Sequence, residues 1–307
     1  MSRGIGEFGV IQDIIPDWAA IFIALLTQLG DVWFLALLVG ATYWFYATKR
    51  DDDAVLVGFT IAGLALISVL KHIFALPRPG SPLVGVETLP WTIQPLYEVT
   101  AAASGYGFPS GHALMTTIVY LSFAHRLSIS SRRRRFAAAA ALITVVCLSR
   151  VGLGVHYLVD VVVGVGVGIL FLIGAEWLLS QSSMNEGTLA LSLAVVVSSI
   201  NLTVGGADFD GVLLLGAALG AICGWQVLLL GQQLDTLNLR SGLTRSHTAR
   251  GIFAGIALVP LVTALVTFNL FSLPFLGGVL GISLAVVMAI PALPYSKLFQ
   301  RRRARSL

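Results

Sequence analysis

The sequence predicts an all-α fold: a polytopic integral-membrane helical bundle of about nine spanning helices, preceded by a short N-terminal interfacial helix. Three observations carry this. Of the 307 residues, 57% are hydrophobic and only 11% are charged, and the mean hydropathy is +0.89. The apolar residues come in runs near the length of a membrane-crossing helix. The basic residues collect in alternate connections between those runs. A soluble domain does not carry this composition.

The elements follow in order. The opening "MSRGIGEFGVIQDIIPDW" has neither an uninterrupted apolar core nor a small-residue cleavage site, so it is expected to stay on the chain. Residues 17–29, "DWAAIFIALLTQL", are too few to cross alone and read as an interfacial helix, with a kinked span as the alternative. The candidate spans are 31–47, 54–70, 112–127, 136–149, 158–179, 188–204, 211–230, 251–269 and 275–291. The run 136–149 covers only about 21 Å at 1.5 Å per residue, so its flanks must contribute. Cys147 and Cys223 lie inside apolar runs and read as small hydrophobes, with no disulfide or metal role.

Nine crossings put successive connections on alternate sides. One side holds Lys49, Arg50, Arg126, Arg132–Arg135, Arg240, Arg245, Arg250, Lys297 and the tail "RRRARSL". The positive-inside rule makes that side cytoplasmic, together with the C-terminus, and the "YWFY" belt at 43–46 fits the same boundary. The run "RRRR" is then a topology signal rather than a nucleic-acid patch. The other side holds only Lys71, Arg78 and Arg150, all at or beside helix ends, where the rule disfavours them. Charge placed at the membrane against that rule calls for partners or a function.

Three short stretches return to this outer face. "KHIFALPRP" ends one span with Lys71 and places Arg78 and Pro79 seven and eight residues on. "GFPSGHA" opens the next span with Pro109, Ser110, Gly111 and His112. "SRVGLGVHYLVD" ends a span with Ser149 and Arg150 and begins another with His156 and Asp160. In this order, K-x6-R-P, P-S-G-H and S-R-x5-H-x3-D, the pattern resembles the type 2 phosphatidic acid phosphatase superfamily. That superfamily includes lipid phosphate phosphatases, polyprenyl diphosphate phosphatases and, more distantly, vanadium haloperoxidases. Every motif position is filled, and the resemblance covers roughly residues 17–180.

The residues support the same chemistry. His156 and Asp160 are four apart and share a helix face. A carboxylate on one imidazole nitrogen fixes the tautomer and frees the other nitrogen to attack, which makes His156 the candidate nucleophile and Asp160 its orienter. The resemblance implies the same roles, through a phosphohistidine intermediate. Lys71, Arg78 and Arg150 would neutralise phosphate oxygens. The backbone N–H groups of Ser110 and Gly111 at a helix start would add to them. His112 is placed to protonate the departing oxygen. No acidic cluster on the outer face would cage Mg²⁺, so no metal or other cofactor is expected. His72 reads as a bystander, His125 and His247 as cytoplasmic, and Glu176 as interfacial.

The loop between Pro79 and Pro109 carries no basic residue but has Trp91, Tyr97, Tyr106 and Phe108, residues suited to the headgroup level. The expected substrate is therefore a lipid phosphate or diphosphate, polyprenyl or glycerolipid, met at the extracytoplasmic face of the cell membrane. Domain organisation is read as a catalytic core at 1–183, a four-span extension at 184–294 and a basic tail at 295–307. In the extension Gly216, Gly220 and Gly224 recur every fourth residue, and in the core Gly164 and Gly168 do so; both sets read as close helix packing. Two other readings stay open on these residues: a lipid-linked phosphotransferase using the same intermediate, and a lipid-transport module with the phosphatase core as an accessory.

Overall fold

A computed structural model describes residues 4, 7–16, 18–45, 50–80, 82–89, 91, 94–101, 105–206, 208–236 and 273–289. The helices are α1 (Glu7–Ile14), α2 (Ala19–Thr27), α3 (Val32–Phe45), α4 (Arg50–Phe74), α5 (Gln94–Ala101), α6 (Gly111–Arg126), α7 (Arg132–Gly152), α8 (Leu158–Gln181), α9 (Glu186–Val204), α10 (Phe209–Thr236) and α11 (Leu273–Ala289). Short 3-10 turns occupy Gln28–Gly30 and Val86–Thr88, and the described residues contain no strand. The predicted span 251–269, Lys49, Arg240, Arg245, Arg250, His247, Lys297 and the basic tail lie outside the described residues.

Five described helices are long and apolar enough to cross a membrane: α4, α7, α8, α9 and the Phe209–Leu230 part of α10. A sixth candidate is the pair Ala19–Gly30 and Val32–Trp44, which meets the same test as one unit bent by 46°. The segment 17–29 thus holds the separate helix α2, and the bend into α3 fits the kinked span that the sequence left as its alternative. The physical reason is length: neither half reaches the ~20 residues a span needs, and together they exceed it. The flanks of 136–149 do extend it, giving the 21 residues of α7. Helix α6 has 16 residues and α11 has 17, so five or six candidate spans stand among the described residues.

The chain divides into two compact units: residues 1–46 with 62–183, and residues 47–61 with 184–307. In the first, α6 packs against both α7 and α8. A Cβ on Gly164 would stand 2.7 Å from the Ser110 carbonyl oxygen, and one on Gly168 would stand 2.9 Å from Thr117 Cβ. These two glycines let α8 approach the start of α6. Arg126 at the end of α6 pairs with Glu176 of α8 at 2.7 Å. Leu89 and Tyr97, between Pro79 and Pro109, pack in a small core with Ala20, Ala24, Leu153 and Val155. Tyr97, expected at the headgroup level, is 0% exposed, and its hydroxyl accepts from the Val84 N–H at 3.2 Å. A phenol with a backbone partner and apolar neighbours gains more from burial than from the interface. Trp91, at 80% exposed, does face outward.

In the second unit α10 packs on α9 and α11. A Cβ on Gly216 would run into the Gly277 carbonyl oxygen, and one on Gly220 into that of Gly281. The four-residue glycine repeat therefore serves backbone-to-backbone helix contact. Trp225 is fully buried and donates from Nε1 to Oδ1 of Asn185, the residue that caps α9.

Candidate active site

The first unit contains all eight residues that the motifs single out. Each is set by a helix end. Helix α4 carries Lys71 in its last turn and stops at Phe74; Ala75 follows in the left-handed region at φ 47°. The chain then runs on without helix through Arg78. Helix α6 starts at Gly111 with Ser110 as its N-cap, the Oγ accepting from the Ala113 N–H at 3.5 Å. Lys71 Nζ stands 3.7 Å from where a Cβ on Gly111 would lie, so the ammonium faces this helix start.

Helix α7 ends in a Schellman motif. The Gly154 N–H donates to the Val151 carbonyl at 2.9 Å, and the Val155 N–H donates to the Arg150 carbonyl at 3.2 Å. Gly154 supplies the left-handed residue this closure needs, at φ 70°. The spacing S-R-x5-H thereby becomes geometry: Arg150 is in the last turn, the chain reverses at Gly154, and His156 follows. Helix α8 then begins, with Asp160 in its first turn accepting from the Tyr157 N–H at 3.0 Å.

His156 is 1% exposed and Asp160 0%. His156 Nδ1 lies 2.7 Å from the Gly107 carbonyl oxygen, and Nε2 lies 3.3 Å from Arg78 Nη1. A carbonyl only accepts and a guanidinium only donates, so Nδ1 carries the proton and Nε2 presents its lone pair. The sequence reading gave that orienting contact to Asp160. In the structure the carboxylate is 3.6 Å from Nδ1 and is engaged in capping α8, and the Gly107 carbonyl takes the hydrogen bond. Asp160 remains paired with the ring at that distance and is also a nearby negative charge for Arg78. It supports the charged form of Arg78, which burial disfavours. Burial pushes the His156 ring down to about 3; Asp160 opposes that shift, and Arg150, Arg78 and His112 add to it.

Arg150 is 2% exposed and donates from Nη1 to Thr27 Oγ1 at 3.1 Å and to the Thr100 carbonyl at 3.4 Å. The Nε–H groups of Arg78 and Arg150 are buried with no hydrogen-bond partner among the described residues. One expectation needs correction. The Ser110 N–H is not turned toward a ligand; it donates to the Asp160 carbonyl at 2.9 Å, because Gly164 brings α8 close enough to take it. The helix-start donors that intrahelical bonding does not reach are those of Gly111 and His112.

Sequence reasoning missed Gly107, Thr27, Thr100 and Asp31. The last lies 2.8 Å from His112 Nε2 through Oδ1. Its signal was present: an acid at the first position of the run 31–47, directly after the stretch 17–29.

Comparison with known proteins bears on this arrangement. The family model described as the PAP2 superfamily matches residues 53–184. The chain is 30% identical over 155 residues to phosphatidylglycerophosphatase B of Bacillus subtilis, covering 47% of this chain and 68% of that protein. It is 29% identical over 130 residues to lipid phosphate phosphatase delta of Arabidopsis thaliana, covering 38% of this chain and 28% of that protein. Among solved structures, a transmembrane PAP2-type phosphatidylglycerolphosphate phosphatase from Bacillus subtilis aligns with a TM-score of 0.44 at 26% identity, over 54% of this chain and 80% of that one. LpxE from Aquifex aeolicus aligns with a TM-score of 0.43 at 18% identity, over 62% and 96%. Lys71, Arg78, Ser110, Gly111, His112, Arg150, His156 and Asp160 all fall inside the matched residues 53–184, and the chain belongs to the PAP2 superfamily.

Proposed function

We propose that this chain is a membrane phosphatase that hydrolyses a lipid phosphate or diphosphate at the extracytoplasmic face, through a phosphohistidine intermediate. The observation that carries the reading is the state of His156: one nitrogen tied to a carbonyl, the other presenting a lone pair 3.3 Å from a buried guanidinium. An imidazole held neutral by burial is a competent nucleophile, and a cation beside its free nitrogen collects the anion it must attack.

In the first step Nε2 attacks phosphorus and the bond to the leaving oxygen breaks. That oxygen takes a proton from His112. In the second, water attacks the phosphohistidine, His112 accepts a proton from it, and the P–N electron pair returns to Nε2. Lys71, Arg78 and Arg150 neutralise the phosphoryl oxygens throughout, and the Gly111 and His112 N–H groups at the start of α6 assist. The positive charge a metal would bring is thus supplied by side chains, and the reaction is proposed to need no metal.

The lipid part of the reading rests on surroundings. An apolar cavity of about 350 Å³ lies beside the end of α7 that carries Arg150, lined by Ile11, Ile15, Ile23, Leu26, Leu148 and Val151 among others. Its size and lining suit part of a hydrocarbon chain. The names of the relatives in Arabidopsis and Bacillus point to lipid substrates as well. The test is phosphate release by purified protein, with excess chelator, from polyprenyl diphosphates, glycerolipid phosphates and a soluble sugar phosphate. Release from the lipids supports the proposal. Preference for the sugar phosphate, or dependence on added Mg²⁺, overturns the corresponding part of it.

A further inference from the structure

We infer that Asp31 is a positioning residue for His112: it holds the ring by Nε2 and provides the counter-charge to the protonated imidazole, so that Nδ1 is left to carry the transferable proton. The inference rests on the phosphatase reading for its kinetic consequence, but its geometry stands apart from it.

Four contacts bring the break between α2 and α3 against the site. Thr27 Oγ1 accepts from Arg150 at 3.1 Å. The Leu29 carbonyl accepts from the Tyr120 hydroxyl of α6 at 2.6 Å. Gly30 lies so near that a Cβ there would stand 2.7 Å from Val146 Cγ1 and 3.0 Å from His112 Cδ2. Asp31 Oδ1 meets His112 Nε2 at 2.8 Å. Both partners are about a fifth exposed, at 21% and 22%. This segment precedes residue 53, where the family match begins. The site of this chain is therefore completed by residues ahead of that match.

An ionised carboxylate only accepts, so Nε2 keeps its hydrogen. The second proton of the imidazolium then resides on Nδ1, the nitrogen not engaged by Asp31. Burial disfavours the charged ring most, Arg150 from α7 and Lys71 from α4 add to that, and Asp31 is the acid that opposes them. Without it, a ring between two cations would hold its second proton less readily, and an acid that cannot stay charged cannot donate.

Asp31 also sits at the N-terminus of α3, its carbonyl accepting from the Leu35 N–H at 3.0 Å. Asparagine serves nearly as well as aspartate at a helix N-cap, so Asp31→Asn removes the charge while preserving that structural role. Asp31→Glu keeps the charge one methylene further out. In the purified full chain, Asp31→Asn should lower kcat on a short-chain phosphatidic acid by about tenfold or more, a share of the roughly 10²–10⁴-fold an acid contributes. On p-nitrophenyl phosphate, whose leaving group needs no proton, kcat should change little. KM should hold on both, and Asp31→Glu should recover part of the loss. In a His112→Asn background, Asp31→Asn should cost less than about twofold more, since the two act as one unit.

A readout independent of turnover is the titration of the His112 ring by NMR, tractable with five histidines in the chain. Asp31→Asn should lower the midpoint by about one pH unit or more. Equal losses on both phosphates, additivity with His112→Asn, or an unmoved midpoint would each overturn the inference. Should the wild type hydrolyse neither phosphate, the phosphatase reading fails, and the ring titration still decides the role of Asp31.

Discussion

Replacing Gly107 with alanine would show whether the carbonyl that holds His156 matters to turnover. A Cβ at 107 would lie 2.9 Å from both Arg78 Cα and the Pro77 carbonyl oxygen, and 3.1 Å from Arg78 Cγ. Two of these are backbone atoms, so no side-chain rotation relieves the contact. Reaching an ordinary separation of 3.4 Å requires a shift of about half an ångström. The strand of chain that must yield is either the one carrying Arg78 or the one whose carbonyl accepts from His156 at 2.7 Å. Either movement disturbs the pairing of Nε2 with Arg78. A displacement of 1 Å costs on the order of 10²-fold in rate, so half of that should cost about tenfold. Overpacking should lower stability by about 1–3 kcal/mol. The assay is kcat for phosphate release by the full chain in detergent, with thermal unfolding measured in parallel. Gly166→Ala is the control, because a Cβ there meets nothing within 4 Å, and alanine in a helix is favoured over glycine. Gly107→Ala with unchanged kcat would refute the account of how His156 is held. So would an equal loss in Gly166→Ala.

Three other outcomes are expected. His156→Asn should abolish turnover on every substrate, whereas His112→Asn should cost roughly 10²–10⁴-fold on lipid monophosphates and much less on diphosphates or nitrophenyl phosphate; residual turnover by His156→Asn would mean direct attack by water. Because burial pushes His156 down to about 3, its nucleophilic form is present above that pH and is lost only as pH falls through it. A His112→Asn variant assayed on nitrophenyl phosphate should therefore show no acid limb of kcat/KM near pH 6.5, and such a limb would contradict the neutral, buried ring. In a Cys223→Ser background, which removes the exposed native thiol, an impermeant thiol reagent added outside should label Trp91→Cys and miss Ser130→Cys; the reverse would invert the sidedness of the site.

The candidate site was legible in the sequence because its residues stand at fixed distances from helix ends. S-R-x5-H works through a Schellman closure at Gly154, and P-S-G-H through a Ser110 cap, so spacing and geometry are the same information there. The contacts that hold the set were not legible. Gly107 acts through its carbonyl, which has no sequence signature. Thr27 and Thr100 are 123 and 50 residues from the arginine they accept from. The Ser110 N–H went astray for a related reason: a free helix-start donor was a sound local expectation, but the close approach of α8 claimed it. In the fold, the glycine repeats predicted their own packing, since a missing Cβ matters wherever helices touch. The span count was less secure, because a bent pair and a short helix look like ordinary runs when hydropathy alone is read.

Arg150 binds two neutral oxygens, Thr27 Oγ1 and the Thr100 carbonyl, and Arg78 reaches a third on Val155 and the His156 ring. These neutral partners orient the guanidiniums, and Asp160 is a negative charge near Arg78. The field that draws in a phosphate ester therefore acts equally on the inorganic phosphate left behind. Inorganic phosphate is then expected to compete with the ester for the same cations. A local accumulation of free phosphate would slow the enzyme in proportion, tying its pace to how quickly the surrounding medium carries the ion away.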